Sequence, residues 1–153
     1  MHTMRRLMLI LTLCACALGI AAACGGTGTK TLTKEQYAAK VSHLCLVAAE
    51  GFHQLHIGIA LSDWRDHATE ITSVVQHFNR SLAALTPPPE VAHAATPFVS
   101  ANKKVLKDDL AAVAAAKAGD AGKLHAALVR GNMDVGATYQ FAEAIGATGC
   151  YPS

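Results

Sequence analysis

Residues 64–85, WRDHATEITSVVQHFNRSLAAL, contain the apolar pattern that decides the fold. Seven residues recur at alternating intervals of four and three: Trp64, Ala68, Ile71, Val75, Phe78, Leu82 and Leu85. This spacing places them on one face of an α-helix, in a stripe typical of helices that pack in a bundle. The helix is predicted to begin after a cap at Ser62 or Asp63. It should end at Thr86, because the three prolines at 87–89 cannot continue it.

A second apolar stripe precedes this segment and predicts a first helix over residues 34–61. Its members are Tyr37, Val41, Leu44, Ala48, Phe52, Leu55 and Ile59. Thr33 offers an N-cap, and Gln36 three residues later completes a capping box.

Two more helices are predicted after the prolines. The third, over 89–118, has a less regular stripe that admits Asn102 and Asp109 near the edge of the core, and Pro97 should kink or restart it. Gly119 is a helix stop and Asp120 a cap for the fourth helix, which ends at Gly146. The stripe of the fourth helix is Leu124, Leu128, Gly131, Val135, Thr138, Ala142 and Ile145.

Four amphipathic helices joined by short breaks predict an all-α fold, an up-down-up-down four-helix bundle over residues 32–153. The first and fourth helices would then be neighbours. The β-branched and aromatic alternation of strands is absent, so no sheet is expected.

The start of the chain is interpreted as an export signal. Arg5 and Arg6 precede the apolar run LMLILTLCACALGIAAAC of residues 7–24. A basic start, a short apolar run and small residues are typical of a secretory signal peptide, here residues 1–23. A cysteine at this point, Cys24, is the position that receives lipid in bacterial lipoproteins, and residues 24–31 then form a flexible tether. An uncleaved membrane anchor and a plainly secreted protein are the alternatives.

Removal of residues 1–23 changes what the composition implies. The 13 Lys and Arg residues fall to 11, which equals the 11 Asp and Glu residues. A neutral domain without a basic run interleaved with aromatic residues does not suggest a nucleic-acid partner. Three of the five cysteines remain. With Cys24 lipidated, Cys45 and Cys150 form an even pair in an oxidising compartment, which predicts a disulfide. A redox or metal pair is the alternative, but no CxxC motif is present.

The chain resembles small actinobacterial cell-envelope lipoproteins of unassigned function. The residues that carry the resemblance are AAACGG at 21–26, Leu32-Thr33-Lys34 with Tyr37, Cys45, Leu85-Thr86-Pro87-Pro88, Gly119-Asp120 and Gly146-Ala147-Thr148-Gly149-Cys150. This resemblance implies a helical domain closed by one disulfide and tethered outside the membrane. It implies no catalytic residues.

Histidines are the remaining metal-ligating side chains. His53 and His56 are three residues apart on one predicted helix face and could share Zn²⁺ or Cu²⁺. Two ligands do not complete a site and solvated histidines are the ordinary interpretation, so no metal or other cofactor is expected.

The sequence contains no GxSxG, HExxH or phosphate-binding loop, so no catalytic residues are predicted. The first hypothesis is a non-enzymatic envelope lipoprotein that binds another envelope protein, with Met133 and Phe141 as the contact because both point away from the stripe of their helix. The alternative is a carrier that holds a small apolar ligand or haem inside the bundle. Small residues on the stripes could leave the void this requires: Ala48, Ala68, Gly131 and Thr138.

Overall fold

The structure, a computed structural model, describes residues 31–151. The predicted signal peptide, Cys24 and nearly all of the tether lie outside the described residues. The described part is all-helical and has no β-strand. Its α-helices are α1 (Lys34–Leu55), α2 (Leu61–Asp66), α3 (Ala68–Ala83), α4 (Ala92–Lys117) and α5 (Ala121–Ile145), with 3-10 turns at Pro89–Val91 and Thr148–Cys150. Among residues 31–151, none of the helices is both long and apolar enough to cross a membrane.

Four helix ends follow from local chemistry, as the sequence predicts: the start of α1, the end of α4 and both ends of α5. The Thr33 hydroxyl accepts the Gln36 backbone N–H, and the Gln36 side chain accepts the Thr33 N–H, which completes the capping box of α1. The Asp120 carboxylate accepts the Lys123 backbone N–H at 2.9 Å and caps α5. Gly119 and Gly146 have φ of 73° and 84°, the left-handed conformation that ends α4 and α5 at low cost for glycine.

The first helix is shorter than predicted. It ends at Leu55, and His56 follows in a left-handed conformation with φ of 49°. The loop after it is held by tertiary hydrogen bonds: the Gly58 N–H donates to the Asp63 carboxylate, and the Trp64 indole donates to the Gly58 carbonyl, both at 3.0 Å. A helix that continued to residue 61 would not form these hydrogen bonds. Because the apolar periodicity does not reveal them, the predicted end of the first helix is six residues too late.

The second predicted helix is divided in two. α2 begins after Ala60, which makes no side-chain cap bond, so the predicted caps at Ser62 and Asp63 are wrong. A break at His67 separates α2 from α3, and α3 ends at Ala83 rather than Thr86. The apolar stripe itself is confirmed, since its members are buried or half-buried along both segments.

The third predicted helix starts as a 3-10 turn and continues as α4, which passes through Pro97 without interruption. The proline therefore does not restart the helix. Asn102 is buried, as its position at the edge of the stripe predicts, and its amide donates to the Phe98 carbonyl of the preceding turn at 2.9 Å.

The apolar interior is divided into two clusters. The upper core consists of Tyr37, Val41, Leu82, Val91, Ala94, Ala95, Phe98, Ala142, Ile145 and Ala147. The lower core consists of Trp64, Ala68, Ile71, Ala112, Val113, Ala115, Ala116, Leu124 and Ala127. The start of α4 meets the end of α5 in the upper core, and the end of α4 meets the start of α5 in the lower core. These two helices therefore form an antiparallel hairpin.

The predicted packing of the first helix beside the last is seen only in part. α3 packs on α4, and the main neighbours of α1 are α3 and the C-terminal 3-10 turn. α1 meets α5 in the upper core, where Tyr37 and Val41 lie in one cluster with Ala142 and Ile145. The up-down-up-down arrangement stays a prediction.

The predicted disulfide is confirmed. The Cys45 and Cys150 sulfurs lie 2.04 Å apart and join residues 105 positions apart in the chain. The bond ties the middle of α1 to the segment that follows α5, so α1 is held to the rest of the domain by α3 and by this covalent link.

Candidate functional site

A partly open cleft of about 260 Å³ lies between the upper and lower cores, and we call it the waist cleft. All four long helices and the disulfide contribute to it. Its lining is Cys45, Ala48, Ala49, Phe52, Val75, Phe78, Asn79, Phe98, Asn102, Val105, Asp109, Val135, Thr138, Tyr139 and Cys150. Mostly apolar walls with a few polar groups are typical of a small-molecule site.

The cleft exists because side chains at the middle of the domain are too small to fill it. Ala48 and Ala49 are the small α1 side chains that line it, and Thr138 lines it from α5. Of the four small residues predicted to leave a void, Ala48 and Thr138 therefore line this cleft. Ala68 packs instead in the lower core, and Gly131 lies against Asp108 and Asp109, so these two predicted contributors do not line it.

Three neutral polar side chains of the cleft each donate one hydrogen bond within their own helix. Asn79 donates to the Val75 carbonyl at 3.0 Å, and Asn102 donates to the Phe98 carbonyl at 2.9 Å. The Thr138 hydroxyl donates to the Val135 carbonyl at 2.7 Å, which uses its only hydrogen. The side-chain oxygens of these three residues remain as acceptors, and one N–H of each amide and the Tyr139 hydroxyl remain as donors.

Asp109 is the one carboxyl in the lining. Burial, and after it the charge of Asp108, raises the pKa of Asp109 to about 7. Among residues 31–151 no cationic side chain forms an ion pair with it, because the nearby Arg130 binds Asp108 at 3.0 Å. A mostly buried carboxyl without a cation is costly to ionise, which accounts for the direction of this pKa change.

The two histidines singled out in the sequence do not form a complete metal site in the described part. His53 and His56 are both exposed, with ring centroids 6.0 Å apart. His56 lies beyond the end of α1, so the two do not share a helix face as predicted, and its Nδ1 is 3.0 Å from the Gln54 carbonyl. Residues 31–151 hold no group of three or more His, Cys, Asp or Glu side chains placed to bind a metal ion.

The two residues predicted as a partner contact lie in different environments. Met133 is 70% exposed, as its position off the stripe predicts. Phe141 is half-buried and packs against the upper core, so its predicted exposure is wrong. A bulky ring can reach the core from the flank of a helix, and helical periodicity does not capture that reach.

A second groove, of about 230 Å³, lies on the other side of α1, between α1 and α3. It shares Ala48 and Phe78 with the waist cleft and is otherwise lined by Leu44, Val47, Gly51, Ser73, Val74 and His77. Because only two helices surround this groove, and because convergent polar groups are fewer there, the waist cleft is the better candidate site.

Comparison of the chain with protein families, curated proteins and solved structures gives no match. The chemistry of the cleft therefore follows from its own residues.

The sequence predicts that Asn102 and Asp109 lie at the edge of the core, but it does not indicate that they face a cleft. The one feature of the sequence that could have indicated the cleft is the presence of these two polar residues on an otherwise apolar stripe. The position of Cys45 and Cys150 in the lining had no signal in the sequence.

Proposed function

We propose that this protein is a non-enzymatic binding protein of the cell envelope, tethered to the membrane, whose waist cleft holds a small and largely apolar molecule. The observation that supports this proposal is the cleft itself, a partly open and mostly apolar recess of about 260 Å³ that side chains of four helices line together. Its apolar walls favour the carrier hypothesis over the hypothesis of a pure interaction module.

The residues of the cleft fit a small organic ligand better than they fit haem. The lining contains no histidine or methionine, and both of its cysteines are joined in the disulfide. The usual axial ligands of haem iron are therefore missing apart from Tyr139. A volume of about 260 Å³ suits a molecule somewhat larger than the benzene that an apolar cavity of about 150 Å³ accepts.

Ligand entry is proposed along the side where α1 faces α5. Away from the upper core, where α1 and α5 share a cluster, α1 is held by α3, the C-terminal turn and the disulfide. In this proposal the four long helices act as an up-down-up-down bundle that opens along one seam. A small movement of α1 then suffices to admit a ligand while both cores stay packed.

The place of action rests on the sequence. The apolar run ending in Cys24 supports export and lipidation, and the lipid would hold the domain at the outer face of the cell membrane. The disulfide supports an oxidising compartment.

The proposal can be tested with 2-phenylethanol as a probe of suitable size, followed by NMR chemical shifts of the labelled protein. Shifts should concentrate at lining residues such as Val105 and Val135. Ala48→Phe should abolish them by filling the cleft, whereas Ala137→Phe, on the exposed side of α5, should leave them unchanged. Shifts that are absent, or scattered over the surface of the folded protein, would reject the proposal.

A second candidate function is the binding of another envelope protein. One observation favours it: Met133 exposes 70% of its surface, and Val129, one turn earlier on α5, exposes 47% of its surface, so two apolar side chains lie together on this face of the helix. Crosslinking in intact cells should then recover a partner with the native chain and lose it with Met133→Lys, and recovery of free monomer alone from both would reject this candidate.

A further inference from the structure

We infer that the waist cleft selects a small organic cation, such as a primary amine on an apolar body, and that the Asp109 carboxylate is its counter-charge. This inference rests on the proposed function and adds the chemical class of the ligand. It is carried by three features of the cleft: its walls, the kind of polar groups it presents, and the absence, within the part of the chain that the structure describes, of a cation paired with Asp109.

The polar groups of the cleft favour a ligand that donates hydrogen bonds. Asn79, Asn102 and Thr138 each donate to a carbonyl of their own helix and keep a free side-chain oxygen, whereas the donors left are one N–H on each amide and the Tyr139 hydroxyl. The Asp109 carboxylate adds two more acceptor oxygens. An ammonium group carries three donors and no acceptor, and it therefore matches such a set of oxygens.

The charge of the cleft favours a cation over a neutral donor. The lining contains no lysine, arginine or histidine, and the only titratable residues it has are Asp109 on α4 and Tyr139 on α5. α1 and α3 contribute no titratable side chain to it. Outside the lining, Asp108 is adjacent to Asp109 on α4, and Arg130 of α5 binds Asp108. A cationic ligand would supply the partner that residues 31–151 do not.

The remaining walls favour an apolar body. Phe52, Phe78 and Phe98 approach the cleft from three different helices, and Val75, Val105 and Val135 complete the surface. A fully hydrated inorganic cation or a sugar would leave these walls without a partner, whereas an aryl or short alkyl amine covers them and places its nitrogen at Asp109.

The ionisation of Asp109 gives the inference a pH dependence. Burial raises the pKa of Asp109 to about 7, so in the free protein the carboxyl is largely neutral at pH 5.5 and largely charged at pH 8. A protonated amine should therefore bind more tightly at pH 8 than at pH 5.5. A neutral molecule of the same shape should show a much smaller change.

The test compares 2-phenylethylamine with 2-phenylethanol on the full domain by NMR titration and calorimetry. The two probes have the same body and differ in one polar group, and the amine stays protonated at both pH values. At pH 8 we expect the amine to bind about tenfold more tightly than the alcohol, which is the effect of one charge-assisted hydrogen bond. Asp109→Asn should remove most of this preference. Glu70→Gln, which deletes an exposed charge on α3, should retain it.

The outcomes separate this inference from the proposed function. Equal binding of both probes at the cleft, with no change between pH 5.5 and pH 8, overturns the cation inference and leaves the binding function intact. Binding of neither probe overturns both. Should Asp109→Asn fail to fold, the pH dependence of the amine preference in the native protein decides the question without that variant.

Discussion

Gly149 packs so closely against Ser42 that a Cβ atom added at Gly149 would lie 2.6 Å from the Ser42 carbonyl oxygen. This contact seats the C-terminal turn on α1 one residue before Cys150. Because the carbonyl belongs to a helical backbone, it cannot move aside as a flexible side chain would. Only glycine therefore allows the turn to approach α1 as closely as the disulfide requires.

Gly149→Ala should lower the free energy of unfolding by about 1–3 kcal/mol, the usual cost of an added methyl in a closed contact. Urea denaturation under oxidising conditions measures the change. Gly136→Ala is the matched control. No atom lies within 4 Å of a Cβ at that position, so the variant should gain up to about 1 kcal/mol from helix propensity. Equal effects at the two glycines would contradict the steric argument.

Cys45→Ser should destabilise the domain under oxidising conditions by up to about 4–5 kcal/mol, since the native bond closes a loop of 105 residues. With a reductant present, the variant and the native chain should unfold at nearly the same temperature. Thermal unfolding followed by circular dichroism measures both. A difference that persists unchanged in reductant would argue that the cysteine acts through packing and not through the disulfide.

Asp109 should make stability fall as the pH rises. The unfolded carboxyl loses its proton near pH 4, whereas burial raises the folded pKa of Asp109 to about 7. The folded state therefore binds more protons across this window, and the contribution of Asp109 decreases between about pH 4 and pH 7.

Asp109→Asn removes that ionisation and should be more stable than the native chain at pH 8 by roughly 2–4 kcal/mol, with one pKa unit corresponding to about 1.4 kcal/mol. The difference should shrink towards pH 4.5. Chemical denaturation of both proteins at each pH gives the comparison. A difference independent of pH would mean that Asp109 is charged throughout the range.

Tyr37 is fully buried in the upper core, and its hydroxyl has no hydrogen-bond partner among residues 31–151. Burial also raises its pKa. Tyr37→Phe should leave the stability unchanged or raise it by up to about 1–3 kcal/mol, the cost of an unsatisfied buried polar group. A clear loss in the free energy of unfolding would show that the hydroxyl is bound in solution, for example by an internal water molecule.

Cys24→Ala should move the protein from the membrane fraction to the soluble fraction if Cys24 carries the lipid. Cys16→Ala, earlier in the same apolar run, is the control and should leave the protein bound. Cell fractionation with detection of the folded domain distinguishes the two. Membrane retention of both variants would instead support an uncleaved anchor.

Local rules predicted helix limits where a side chain or a glycine acts on its own neighbours. Thr33 with Gln36, Asp120, Gly119 and Gly146 each do so, and all were predicted at the positions observed. The prediction was wrong where distant residues hold the backbone. The end of α1 depends on bonds from Gly58 that are formed only once α2 has folded back over the loop.

The amino-acid sequence by itself determined the all-α class, the buried face of most helices and the pairing of Cys45 with Cys150. These features follow from a periodicity of 3.6 residues, from capping chemistry and from cysteine number. Only the tertiary structure decided that α1 rests on α3 and the C-terminal turn, that Phe141 turns inward, and that Asp109 faces a void. Such features depend on how four separate helix surfaces meet in register, because a gap exists only where none of the facing side chains is long enough to close it.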